Sequence, residues 1–180
     1  MMIIALVLVS TITANAQSTE KKVTKTAHIE FFSHTSAEDI YANNYSVVSS
    51  ITPSTGAVVF SAPMQSFKFK KAMMQKHFNS PDYLDTKQFP KAKFKGEITN
   101  LSSVDFEKDG TYSVTFEGEL TIHGITKTVK ETGTIKVSGS TYTLDLKMKV
   151  AIADYEIALK DGKPSTNVAK VIDLTIEAEY

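Results

Sequence analysis

Tyr112-Ser113-Val114-Thr115-Phe116-Glu117-Gly118-Glu119-Leu120-Thr121-Ile122 is the stretch that decides the fold. One face carries Tyr112, Val114, Phe116, Gly118, Leu120 and Ile122; the other carries Ser113, Thr115, Glu117, Glu119 and Thr121. Tyr142 to Ile152 repeats the pattern, with Tyr142, Leu144, Leu146, Met148, Val150 and Ile152 set against Thr143, Asp145, Lys147, Lys149 and Ala151. Side chains alternate across a strand, so period two over this length means an antiparallel sheet with one wet and one apolar face. At about 3.3 Å per residue each strand spans roughly 36 Å, against about 17–20 Å for an ordinary strand. Amphipathic sheets of that length roll up.

Working outward, further strands are expected at Ala27–Ser33, Tyr45–Ile51, Ala57–Ala62, Ala92–Phe106, Ile125–Ser138 and Ala169–Tyr180. Lys108-Asp109-Gly110, His123-Gly124 and Ser138-Gly139-Ser140 are short turns between them, the mark of successive hairpins. Residues 70–86 change period. Met73, Met74, His77 and Phe78 fall at helical spacing, and Ser80-Pro81 opens a further short turn. Eight strands in mainly sequential order, with this one helical insert, predict an all-β fold: an eight-stranded antiparallel up-and-down, lipocalin-like barrel. A sandwich is the alternative, since turn spacing alone does not separate the two. An eight-stranded barrel is just wide enough to be filled by side chains or to hold one small ligand.

Residues 1–16 stand apart. Met1 to Ile12 is mostly apolar and Ala14-Asn15-Ala16 ends it with small residues, which predicts a signal peptide and a periplasmic or secreted protein. The apolar run is too short for a stable membrane span. Residues 17–180 fit a single domain. The net charge is zero and every cation is Lys, so the electrostatic footprint and the bidentate Arg fork of a nucleic-acid binder are both missing. The chain has no Cys, which rules out thiol catalysis and thiolate metal sites.

Function is harder to read. The His residues, at 28, 34, 77 and 123, have no metal-ligand spacing, and no nucleophile, phosphate-loop or zinc motif occurs, so neither an enzyme nor a cofactor is expected. Gly96, Gly118 and Gly133 interrupt three successive apolar faces, either as bends that let the barrel close or as empty volume for a ligand. Met73, Met74 and Phe78 could cover the end of a core or form a soft lid. Lys68, Lys70, Lys71 and Lys76 are a solvated face or a greeting for an anionic headgroup.

Two stretches carry a resemblance. The first is Met74-Gln75-Lys76-His77-Phe78-Asn79-Ser80 with Tyr83-Leu84-Asp85, Phe89-Pro90 and Ala92-Lys93-Phe94. The second is Gly118-Glu119-Leu120-Thr121-Ile122-His123-Gly124-Ile125-Thr126-Lys127. In that order they resemble the YceI-like family of exported polyisoprenoid-binding proteins, from about Ser61 onward. The resemblance implies a lipocalin-like barrel holding an isoprenoid or fatty-acid-like lipid, with no enzymatic activity. It also implies that His77, Asp85 and His123 are architectural. The opening strands, with Ile29 to His34 followed directly by Thr35 to Tyr41, are shorter and more polar than the family pattern.

The expected partner is an apolar small molecule held in an elongated tunnel for sequestration or transport. Expected lining residues are Met73, Met74, Phe78, Phe94, Tyr112, Val114, Phe116, Leu120, Leu144, Leu146, Met148 and Val150. The competing expectation is an envelope or stress-associated interaction module with a packed core and function on loops such as 36–44 or 161–167. A homodimer is compatible with exposed strands.

Overall fold

The computed structural model describes residues 20–36, 38–160, 163–164 and 168–180; the expected leader and most of the 161–167 loop lie outside the described residues. The strands are β1 (Lys22–His34), β2 (Asp39–Thr52), β3 (Ala57–Pro63), β4 (Lys68–Phe69), β5 (Lys91–Ile98), β6 (Gly110–Ile122), β7 (Ile125–Ser138), β8 (Thr141–Ala151), β9 (Leu159–Lys160), β10 (Lys163–Pro164) and β11 (Val171–Glu179), with one short helix, α1 (Ala72–Asn79). Around the sheet the order is β1-β11-β8-β7-β6-β5-β3-β2, and pairing of β1 with β2 closes it. This is the expected eight-stranded antiparallel barrel. β4 adds an extra short strand on β2, through Ala42 and Asn43.

The His123-Gly124 turn shows why the second motif is a hairpin. Both residues have positive φ, 51° and 77°, and they link the paired Ile122 and Ile125. A two-residue turn of that conformation twists in the same sense as the flanking strands. His123 is thereby a turn residue, its Nδ1 3.1 Å from the Tyr155 carbonyl and its ring edge-on to Phe89.

The opening strands depart from expectation. They run 13 and 14 residues, and the polar stretch 36–44 mostly belongs to β2. The inward positions there include Ala42 and Asn44, which gave no apolar stripe to read. Asn44 is fully buried because both ends of its amide are satisfied: Nδ2 donates to the Pro63 carbonyl (2.9 Å) and Oδ1 accepts from the Ser46 N–H (2.9 Å). The strand expected over 92–106 ends instead at Ile98. Asn100 turns the chain, donating to the Ser113 carbonyl and accepting from the Thr115 N–H.

Taking the end that carries α1 as the top, the interior divides in two. The lower half is a packed core in which Val47, Ile51, Val114, Ile135 and Val137 are essentially inaccessible. Tyr180 helps close it. Its backbone exchanges two hydrogen bonds with Tyr142, and its hydroxyl bonds Ser49; burial pushes that hydroxyl up to about 12 despite the opposing Ser49 bond.

The three glycines act as close-approach points. Gly96 and Gly118 face each other across β5 and β6, and a Cβ on Gly118 would lie 2.4 Å from the Gly96 Cα. A Cβ on Gly133 would meet the Asp145 carbonyl oxygen at 2.5 Å. Neighbouring backbone fills the space that a ligand chain was offered as filling, so these residues let strands bend and crowd.

Candidate functional site

The upper half of the barrel is hollow. A cavity of about 430 Å3 opens beneath the helical insert, with Val58 and Leu144 among the residues toward its lower end. The elongated tunnel expected from strand length is therefore confined to the half that the lower core leaves free.

Strand alternation supplies the wall. β1 contributes Ile29 and Phe31, β3 Phe60 and Ala62, β6 Phe116 and Leu120, β8 Leu146 and Met148, and β11 Ile172 and Leu174. The roof comes from the insert. α1 turns Met74 and Phe78 inward, the i, i+4 spacing that shares one helical face, and the exposed His77 borders the cavity, while Met73 points to solvent, 63% exposed. Phe78 packs on Phe31, Phe67 and Phe69 with ring centroids 6.1, 5.4 and 4.9 Å away. Side-chain hydrogen bonds hold the roof in place. Gln75 Oε1 accepts from the Phe69 N–H, Asn79 Oδ1 accepts from the buried Thr86 hydroxyl, and Gln65 donates to the Thr86 carbonyl.

Of the residues expected to line a tunnel, Met74, Phe78, Phe94, Phe116, Leu120, Leu144, Leu146, Met148 and Val150 border this cavity. Met73, Tyr112 and Val114 do not. Met73 lies on the outer face of α1. Val114 is sealed into the lower core, and Tyr112, lower still on β6, uses its hydroxyl to donate to the Lys108 carbonyl. Lys71, from the basic cluster, is paired with Glu38 at the cavity's edge. His77 stacks on Tyr83, and Asp85, at φ 37°, accepts from the Gln88 and Phe89 N–H groups in the turn below.

Ser33 and Glu131 are among the polar groups bordering the cavity that escaped the sequence reading. Ser33 is buried, and its hydroxyl has no hydrogen-bond partner among the described residues. Glu131 projects inward from β7, with Phe116 opposite it on β6, and burial pushes its carboxyl above the ordinary value. The alternation that reveals it was available. Ile125, Val129, Ile135 and Val137 share one face of β7, and Glu131 falls among them.

The wall also has a seam. β7 and β8 pair from Ser138↔Thr141 up to Gly133↔Leu146 and no further, although both strands continue. Above that point β7 is bonded only to β6, and β8 only to β11. The gap holds a second, smaller space of about 250 Å3 lined by Lys127, Val129, Met148, Lys149, Val150 and Tyr155, among others. Val129, Met148 and Val150 border both spaces. The His123–Tyr155 contact bridges the seam's upper end. Among the described residues there is no helix long and apolar enough to cross a membrane, and no cluster of three metal-ligating side chains.

Solved structures share this architecture. Burkholderia cenocepacia BcnA aligns at 18% identity, covering 86% of this chain and 96% of its own, with a TM-score of 0.71. A polyisoprenoid binding domain from Saccharophagus degradans, implicated in plant cell wall breakdown, aligns at 10% identity over 89% of this chain and 97% of its own, with a TM-score of 0.74. The Campylobacter jejuni YCEI protein aligns at 15% identity over 98% and 92%, with a TM-score of 0.55. No curated protein matches the chain. The YceI-like domain matches residues 11–180, nearly the whole length, and the chain belongs to that family.

Proposed function

We propose that this protein is an exported, non-enzymatic carrier that holds an isoprenoid-like or other long apolar molecule in the upper half of its barrel, for sequestration or transport. The observation that carries this is the cavity of about 430 Å3, walled almost entirely by aliphatic and aromatic side chains. Its size lies within the roughly 300–1,000 Å3 of small-molecule pockets. Burying an apolar chain there stabilises a complex by about 0.8 kcal/mol per methylene. Family membership and the polyisoprenoid binding domain among the similar structures support the same ligand class. A barrel packed along its whole length, as an interaction module would have, is at odds with this void. No metal or organic cofactor is part of the proposal.

Native mass spectrometry of the purified protein, with organic extraction, is the test. An apolar lipid that travels with the protein and is released by solvent is the expected result. Protein that carries no lipid and takes up no added apolar chain would overturn the proposal.

A further inference from the structure

Glu131 is out of place in a wall of this kind. Its register partner on β6 is Phe116, and the next inward residue on β7 is Gly133. Extending the β7–β8 register past Gly133↔Leu146 would set Met148 across the seam from it, and Met148 also borders the cavity. No ion pair or hydrogen bond holds the carboxyl among the described residues. Lys130, its neighbour in sequence, pairs with Glu117 (3.1 Å), and Lys149 across the seam pairs with Asp173.

Its position within the wall adds the second observation. The last β7–β8 pair, Gly133↔Leu146, lies one inward position below Glu131. The carboxyl therefore stands where the seam begins, beside the three side chains that separate the inner cavity from the outer space. An unpartnered carboxyl in apolar surroundings is unfavourable unless something bonds to it. An alcohol or ammonium group donates to a carboxylate; a phosphate or carboxylate headgroup is repelled by it.

We propose that Glu131 is the polar recognition point of the cavity, and that the ligand is an apolar chain bearing a hydrogen-bond donor, an alcohol or a primary amine, which meets Glu131 at the base of the seam. This inference rests on the proposed apolar-ligand function and names the chemistry of the ligand's polar end.

Competition against Nile red with dodecanol, dodecylamine, dodecyl methyl ether and dodecanoate tests it at constant chain length. The wild type should bind the alcohol and the amine about tenfold more tightly than the ether, and dodecanoate most weakly. Glu131→Leu, similar in bulk, should bind all but the acid about equally, with ether affinity unchanged. Glu131→Gln keeps an acceptor but no charge, and should retain the preference for alcohol while losing that for amine. A preference for alcohol over ether that survives in Glu131→Leu, or no such preference in the wild type, overturns this inference and leaves the apolar-ligand function standing. Binding of none of the four chains overturns both. Thermal melts of the variants establish that each is folded, and Glu131→Leu is expected to melt no lower than the wild type.

Discussion

Ile135 and Glu131 both point inward from β7, with Gly133 alone between them on that face, yet they inhabit different surroundings. Ile135 is fully buried among side chains of the lower core. Glu131 faces a void large enough for a ligand. The same alternation produces both, because a strand's period decides only which side chains point inward. Whether the inside is solid depends on what meets them there. In the lower half the valines and isoleucines of several strands interdigitate, and Phe106 and Tyr142 meet edge to face across the floor with centroids 5.1 Å apart. Above them the insert roofs the barrel without descending into it, and the space between stays open.

Truncation is the strongest way to break this comparison. Ile135→Ala empties a site with no room to collapse and should cost about 2–5 kcal/mol. Leu146→Ala, whose side chain already borders open volume, should cost only about 1–2 kcal/mol, the lost burial without a new void. Urea unfolding of the two variants measures the difference. Equal losses would mean that the upper half is as tightly packed as the lower.

The crowded glycine pair gives a smaller effect of opposite kind. Gly118→Ala pushes a methyl group into the Gly96 backbone, which cannot swing aside as a side chain would. Overpacking of this sort should cost about 1–3 kcal/mol. A variant as stable as the wild type would show that β5 and β6 can part at that point, and would return these glycines to the cavity wall. Circular dichroism melts are sufficient to decide it.

Much of this was legible in the sequence, for a physical reason. The striped strands at 112–122 and 142–152 and the His123-Gly124 turn are local signals, so the barrel, the hairpins and the helical insert could be read before any contact was known. Met74 and Phe78 could be placed on one helical face for the same reason. The boundary between core and cavity could not. Val114 and Phe116 belong to one stripe, and only the roof's height and the lower core's packing assign the first to the core and the second to the cavity wall. The β7–β8 seam was equally hidden, since a strand that continues beyond its ladder has the same alternation as one that remains paired. Asn44 was hidden in another way: residues 36–44 carry no apolar stripe and read ambiguously, and only its two amide hydrogen bonds show how it fits the strand.

Glu131 offers the finest test of the two-halves comparison, through its effect on stability with pH. Burial is the cause of its raised value, so the folded state prefers the protonated carboxyl. Well below the ordinary value of 4.5 the group is protonated in both folded and unfolded chains and adds no pH-dependent cost. As the pH climbs, the unfolded chain releases its proton first, since there the carboxyl is the stronger acid. From the ordinary value up to the raised one, each step in pH therefore favours unfolding. Beyond the raised value the penalty is complete and constant. The other titratable residues bordering the cavity are Glu38, His77, Tyr83 and Lys93, and all are unchanged in Glu131→Gln. Subtracting the variant's stability from that of the wild type thus isolates this one group. In ligand-free protein, the difference should fall across that window as pH rises and then level off, as measured by urea unfolding from about pH 4 to pH 8. A difference that stays flat would place Glu131 in water and make the wall at the seam an ordinary outer surface. The predicted fall would fix a desolvated carboxyl two residues above the solid core, where the barrel changes from packed to hollow.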